Sequence, residues 1–305
     1  STSTSNERKR GLKYSIIGCG RVGVNLAAYL AKAGFEPAGF FSRSTESSKS
    51  AQAAAGGRGR IFPSTADACR NADVVFISTP DNTIEPVCSD MAEENAFSDR
   101  TTVFHLSGAL SSEILDPAAK SGAQTGSVHP LQSFAPYEPK PDSADSTSPF
   151  DGINISVEGT DSAVKTGKEI VQALGATHFE IPTEMKTLYH AAAVVASNYL
   201  VTLEDFALHL LKKADLSEEK GFEILEPLIR GTLNNIRNKG TMNALTGPVA
   251  RGDTTIVERH IKDIEKKAPE YAKLYTLLGR HTVNLAEKRG ELDSQTISDM
   301  TRLFD

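Results

Sequence analysis

A doubly wound, mostly parallel α/β sheet followed by an all-α half is the architecture this sequence predicts. Three observations carry it. Short apolar runs alternate with amphipathic helical segments as far as residue 181. A glycine turn joins the first of those runs to the first helix, and beyond Pro182 apolar residues recur at helical spacing with no further strand pattern. With 305 residues and 39% apolar content, the chain is long enough to build two cores.

The first run, Tyr14-Ser15-Ile16-Ile17, leads into Gly18-Cys19-Gly20-Arg21-Val22-Gly23 and then the helix-like Val24-Asn25-Leu26-Ala27-Ala28-Tyr29-Leu30. Strand, glycine turn and helix in that order form the dinucleotide-binding fingerprint of a Rossmann domain. The first glycine permits the tight turn, the second lets backbone approach a diphosphate, and the third lets helix pack closely on strand. Free N–H groups at the positive end of the helix are the expected diphosphate site.

The helix is expected to end near Ala33-Gly34, with strand two over residues 37–41. The carboxyl end of strand two faces the adenosine ribose. An acid there bonds the 2′-hydroxyl, whereas a cation with small hydroxyl residues suits a 2′-phosphate. This chain has Ser42-Arg43-Ser44-Thr45 with no acid before Glu46, which predicts NADP in place of NAD. Residues 60–62 read as a short third strand, and 72–78 as a strand buried on both faces that ends at Thr79-Pro80-Asp81. Ligands lie beyond the carboxyl ends of such strands, so Thr79 and Pro80 are expected to border the nicotinamide. Strand five, 102–106, stops at Ser107-Gly108, and strand six, 126–128, stops at His129-Pro130. Residues 133–150, rich in Pro, Ser and Asp, read as a long loop; 153–157 and 177–181 are further strands around a helical 169–174.

In the second half Thr183 is expected to cap a helix running to Leu211. Its middle carries few charges, which predicts burial as the spine of that domain. A second helix over 217–238 is expected to kink at Pro227 and a third, capped by Asp253, to reach Lys267; two more are expected over 269–289 and 294–304. The predicted organisation is a disordered tail (1–11), an NADP-binding Rossmann domain (12–181) and a helical substrate and dimerisation domain (182–305).

Composition narrows the function. A net charge of −6, with no Lys/Arg cluster interleaved with aromatics, predicts no nucleic-acid partner. No run of about eighteen apolar residues stands out and the N-terminus is polar, so neither a membrane span nor a secretory signal is expected. Cys19, Cys69 and Cys88 lack metal or redox pairing, and free thiols fit a cytoplasmic protein without a metal site.

Hydride transfer needs a proton donor or acceptor beside the reacting carbon, because the attached oxygen or nitrogen changes charge. His129, at a strand end, is the first candidate and Ser107 its companion; His105 reads as structural. Lys186 and His190, four apart, share one helix face, with Asn198 beside the same stripe near Ser197. Polar groups on an apolar helix need partners, so all three are expected to line a cleft. Arg251, in a turn between helices, is free to hold an anionic group. His129 or His190 would handle the proton, Lys186 or Arg251 would hold charge, and Ser107 and Asn198 would orient the substrate.

Five segments resemble one family. They are the glycine turn, Phe104-His105-Leu106-Ser107-Gly108, Val128-His129-Pro130-Leu131-Gln132, Tyr189-His190-Ala191-Ala192-Ala193 with Ser197-Asn198, and Leu245-Thr246-Gly247-Pro248-Val249-Ala250-Arg251-Gly252-Asp253. Together they are similar to the Rossmann-like oxidoreductases whose helical C-terminal half is the domain of unknown function 2520. More distantly, His129-Pro130 with Ser107 is similar to prephenate dehydrogenases, where the corresponding histidine acts on a substrate hydroxyl. Thr246-Gly247-Pro248 followed by Thr254-Thr255 resembles the turn of pyrroline-carboxylate reductases, with Val249-Ala250-Arg251-Gly252-Asp253 in place of a Gly-Gly pair. Lys186 stands where 3-hydroxyacid dehydrogenases carry a catalytic lysine, with His190 where they have asparagine. These resemblances imply a homodimer formed through the helical domain. The expectation is an NADP(H)-dependent oxidoreductase acting on a small polar, carboxylate-bearing substrate; the alternatives are a non-catalytic NADP(H) sensor and a prephenate-type dehydrogenase.

Overall fold

The computed structural model describes residues 11–139 and 147–305. The tail predicted over 1–11, apart from Gly11, lies outside the described residues, as do positions 140–146 of the predicted loop. The chain divides into two compact units, the first ending at Val195 and the second running Ala196–Asp305.

In the first unit β1 (Lys13–Ile17), β2 (Glu36–Phe41), β3 (Arg60–Ile61), β4 (Val74–Ile77), β5 (Thr102–His105), β6 (Gln124–Pro130), β7 (Asn154–Gly159) and β8 (Thr177–Glu180) form one sheet. Its order is β3-β2-β1-β4-β5-β6-β7-β8. The strands run parallel as far as β6, whereas β7 is antiparallel to β6 and β8 parallel to β7. Side chains alternate across the pleat, so neighbours on one strand enter opposite cores. Ile16, Phe76 and Phe104 pack with α1 (Arg21–Lys32) on one face, and Ile17, Val75, Ile77 and Val103 form the other. All four residues of β4 are buried, which is why the strand reads as a continuous apolar run. The strand order reverses between β1 and β4, and the loops leaving their carboxyl ends diverge into a crevice.

Four more helices flank the sheet: α2 (Thr45–Ala54) on the face of α1, and α3 (Thr65–Arg70), α4 (Asp81–Glu93) and α5 (Asp116–Lys120) on the other. The helix expected over 169–174 is longer, α6 (Asp161–Ala173), because Thr160 caps it by accepting from Ala163 N–H.

The first unit continues past Pro182. A 3₁₀ turn, Thr183–Met185, leads into α7 (Lys186–Val194). Thr183 does not cap the helix as expected; its hydroxyl donates to Glu158 at 2.9 Å, and Met185 stands at the cap position of α7. That bond to β7, and one from Lys186 to β6, tie the first turns of α7 to the sheet.

A π-helical stretch, Val195–Tyr199, then joins α7 to α8 (Leu200–Lys213). This continuous helix is not the buried spine expected. Leu188 is 71% exposed and Val201 69% exposed, and only 6% of its most apolar window is buried. Low charge signals that a surface must be covered but not which chain covers it. By length and composition alone, Thr183–Lys213 is long and apolar enough to cross a membrane. Counting consecutive apolar residues missed it, because Ser, Thr, His and Asn interrupt the run without adding charge.

In the second unit α9 (Glu218–Ala244), α10 (Pro248–Arg251), α11 (Thr254–Lys267), α12 (Ala272–Arg289) and α13 (Ser294–Phe304) come after α8. Val249, Val257, Val283, Met300 and Phe304 make a small core among the last four. Asp253 caps α11 as expected, accepting from Ile256 N–H at 3.1 Å. The interruption in α9 falls at Gly240, with φ 74° and ψ 168°, and not at Pro227, whose dihedrals stay helical. Only glycine adopts that conformation without strain.

Candidate active site

The glycine turn leaves β1 at Gly18, whose φ of +93° excludes most side chains. A Cβ there would lie 2.8 Å from the Ser78 carbonyl, and one at Gly23 would lie 2.3 Å from Gly18 O. Around Gly20 nothing lies within 4 Å, so the second glycine faces open space. No side chain caps α1, which leaves its first N–H groups pointing into that space. Arg21 is exposed and Val22 packs against the core. The Cys19 thiol is buried against Phe41 O at 3.6 Å, and burial pushes it up to about 12, so it stays a neutral wall atom.

Gly18, Cys19, Gly20, Ser42, Arg43, Thr79 and Pro80 line one cleft of about 320 Å³. Arg43 is exposed and has no ion pair among the described residues. The hydroxyl of Thr79 is buried without a hydrogen-bond partner, which is costly unless a ligand supplies one. Ser44 is not part of the cleft wall; its hydroxyl caps α2 by accepting from Ser47 N–H at 3.3 Å. An open glycine, free helix amides, an orphaned hydroxyl and an unpaired guanidinium fit a phosphorylated dinucleotide.

Beyond the next strands lies a polar cluster. Ser107, after β5, donates to Asp81 at 2.9 Å and accepts from Ala109 and Leu110 N–H at 3.1 and 3.2 Å. Asp81 opens α4 directly after Pro80, so this bond joins the cleft wall to the cluster. His105 is structural as expected: Nδ1 accepts from Ser107 N–H at 3.1 Å and Nε2 bonds Ser111 O at 3.0 Å. Burial, then the nearby Lys186 charge, holds it down to about 4.

His129 lies with its ring over Gly108, where an added Cβ would sit 2.6 Å away. Its Nδ1 is 2.9 Å from the Tyr189 hydroxyl, and the His190 ring centroid is 6.3 Å from its own. Burial first, and Lys186 second, hold His129 down to about 4. This imidazole is therefore neutral at pH 7 and is placed as a hydrogen-bonding group.

Lys186 is 2% exposed, and its Nζ donates to Ser127 Oγ at 2.9 Å. Ser127 Oγ donates onward to Glu158 Oε1 at 2.7 Å. Burial holds Lys186 down to about 8, against the opposing pull of Glu158 and Asp81. The structure thus brings Ser107, His129, Lys186 and His190 together in the first unit. Asn198 and Arg251 belong to the second: Asn198 is exposed in the π-helical stretch, and Arg251 is exposed at the end of α10 without an ion pair among the described residues.

Sequence reasoning missed Asp81, Ser127, Glu158 and Tyr189 as site residues. The missed signal is period two: Ser127 and His129 alternate with Val128, and Ser156 and Glu158 with Val157. The antiparallel register sets Ser127 opposite Glu158 and His129 opposite Ser156.

Sheet, switch point and glycine cleft define a Rossmann-like domain, and residues 1–130 match the Rossmann-like domain family. Residues 153–282 match DUF2520, a domain of unknown function. A candidate NADP oxidoreductase from Bacteroides fragilis is similar at 21% identity and a TM-score of 0.68, covering 93% of this chain and 100% of its own. A Thermotoga maritima protein is similar at 26% identity and a TM-score of 0.67, covering 90% and 98%. A Plasmodium falciparum pyrroline carboxylate reductase with NADP bound shares the fold at 13% identity and a TM-score of 0.56, covering 96% and 98%. No curated protein matches the chain.

Proposed function

We propose that this protein is an NADP(H)-dependent oxidoreductase that reduces a polarised C=N or C=O bond, or oxidises the corresponding product, on a small polar, carboxylate-bearing substrate. One observation carries the reading: Asp81 joins the wall of a dinucleotide cleft to a buried lysine–histidine cluster within one unit. Similarity to proteins described as NADP oxidoreductase and pyrroline carboxylate reductase supports it.

The α1 amides and the glycine turn would hold the diphosphate, Ser42 and Arg43 the 2′-phosphate, and Thr79 and Pro80 the nicotinamide side. When bound, the cofactor supplies or accepts hydride. Lys186 is the protonated group of the cluster at pH 7 and serves as proton source for the nitrogen or oxygen whose carbon gains hydride. His129 is a neutral imidazole with one ring N–H and one acceptor nitrogen, and its Nδ1 is paired with the Tyr189 hydroxyl. Ser107 has its only proton committed to Asp81, so it positions that carboxylate and does not itself donate to substrate.

A homodimer through the helical domain is part of the proposal. Phe222, Leu228 and Leu233 on α9 and Leu277 on α12 are 46–66% exposed, and covering each such side chain is worth about 1.5–3 kcal/mol.

The test supplies NADPH with panels of imines, keto acids and prephenate and follows cofactor oxidation in the wild type, His129→Ala and Lys186→Ala. Turnover with one class, reduced at least about 100-fold by Lys186→Ala, is expected. Tight NADPH binding with no turnover in any protein would instead indicate a sensor.

A further inference from the structure

Of the side chains around the cluster, Glu158 is the one with the most hydrogen bonds. It is 3% exposed on β7, one strand in from the edge of the sheet. Oε1 accepts from Ser112 N–H at 2.7 Å and from Ser127 Oγ at 2.7 Å. Oε2 accepts from Ser112 Oγ at 2.8 Å and Thr183 Oγ1 at 2.9 Å. Four donors and no acceptor on the two oxygens suit a carboxylate, which is acceptor-only when ionised.

The orientation of Ser127 is forced. Lys186 has only protons to give, so Ser127 Oγ accepts from it and must turn its own proton to Glu158. An ammonium and a carboxylate are thereby linked through one hydroxyl, without touching. That spacing spares the lysine a direct ion pair, which would hold its proton more tightly, yet keeps a counter-charge close enough to favour its charged form. Thr183 adds to the link: it lies three residues before Lys186 and binds the same carboxylate, so one side chain of β7 anchors the start of α7 and the lysine it carries.

We propose that Glu158, through Ser127, is the positioning residue that holds the Lys186 ammonium in place and in its charged form. The proposal rests on the reading of Lys186 as proton donor. Other charged or titratable groups face Lys186 as well. His105 on β5 and His129 on β6 are neutral at pH 7, Tyr189 on its own helix lies with its ring 6.0 Å from Nζ, and Asp81 at the start of α4 adds a second negative charge. Among the charged groups of the described residues, Glu158 is the one tied to the lysine by a continuous hydrogen-bonded path.

The experiment measures the titration of Lys186 directly, by pH-dependent acylation of the intact protein and mass spectrometry of the labelled peptide, in the absence of substrate. Glu158→Gln is expected to move the Lys186 midpoint to lower pH by about one unit or more. Ser127→Ala should move it in the same direction. Glu158→Asp, which keeps the charge but draws the carboxylate back from Ser127, should move it less than Glu158→Gln does. The alkaline limb of NADPH oxidation should move with the midpoint in Glu158→Gln. Unchanged midpoints in folded Glu158→Gln and Ser127→Ala would overturn the proposal. If Glu158→Gln does not fold, Ser127→Ala decides alone. Absence of NADPH oxidation in the wild type would remove the reductase reading without touching the labelling result.

Discussion

At the residue scale, burial decides the chemistry more than residue type does. His129 was legible in the sequence as a strand-end imidazole, but its neutrality was not, because that comes from burial beside Lys186. Glu158 and Ser127 were illegible for a different reason: their pairing exists only in an antiparallel register between β6 and β7, and sequence does not fix the direction in which a strand adds to a sheet. His105 and His129 are both held down to about 4, so the unfolded chain binds more protons than the native one between pH 4 and 6.5. Stability is therefore expected to fall on acidification through that window, by up to about 1.4 kcal/mol per pH unit for each histidine, read by urea unfolding at a series of pH values. Lys186 gives the opposite limb: activity that depends on its proton should decline above about pH 8. At the cofactor end, Arg43→Ala should weaken NADPH binding about tenfold, about 1.4 kcal/mol, and leave NADH binding nearly unchanged; equal losses for both would remove Arg43 from the 2′-phosphate site.

At the scale of elements, strands were read well where burial on both faces makes them continuous, as in β4, and where glycines demand a particular backbone, as after β1. The glycine turn makes a sharp prediction. Gly23→Ala would press a methyl onto Gly18 O, so α1 would have to move away from β1. A loss of at least about 2 kcal/mol in unfolding free energy, together with lost NADPH affinity, is expected from denaturant titration and equilibrium binding. Helix ends and breaks were less legible. Pro227 is tolerated inside α9 while Gly240 breaks it, because proline costs a hydrogen bond that a helix can forgo, whereas the positive φ at Gly240 turns the chain out of the helix. Thr183 has the residue type of a cap, yet its hydroxyl is used across the sheet, a use no local pattern encodes.

At the scale of the whole molecule, two units and a Rossmann-like sheet were legible from the change of periodicity at Pro182, but the first unit runs on to Val195. The anchors responsible, Thr183 to Glu158 and Lys186 to Ser127, are tertiary and left no trace in composition. The apolar faces of α7, α8 and α9 were legible as apolar, not as uncovered. Light scattering after size exclusion should give twice the chain mass of 32.7 kDa, and charged substitutions at Leu228 and Leu233 together should shift it to monomer. The central claim is that this molecule moves hydride between a nicotinamide and a small substrate. It is tested most directly by supplying NADPH deuterated at the transferring position and tracing the label. Deuterium appearing in the product of one imine or keto-acid class, at a rate that Lys186→Ala lowers at least about 100-fold with NADPH affinity kept, is the predicted result. Saturated binding with all the label still on the cofactor across the whole panel would contradict it.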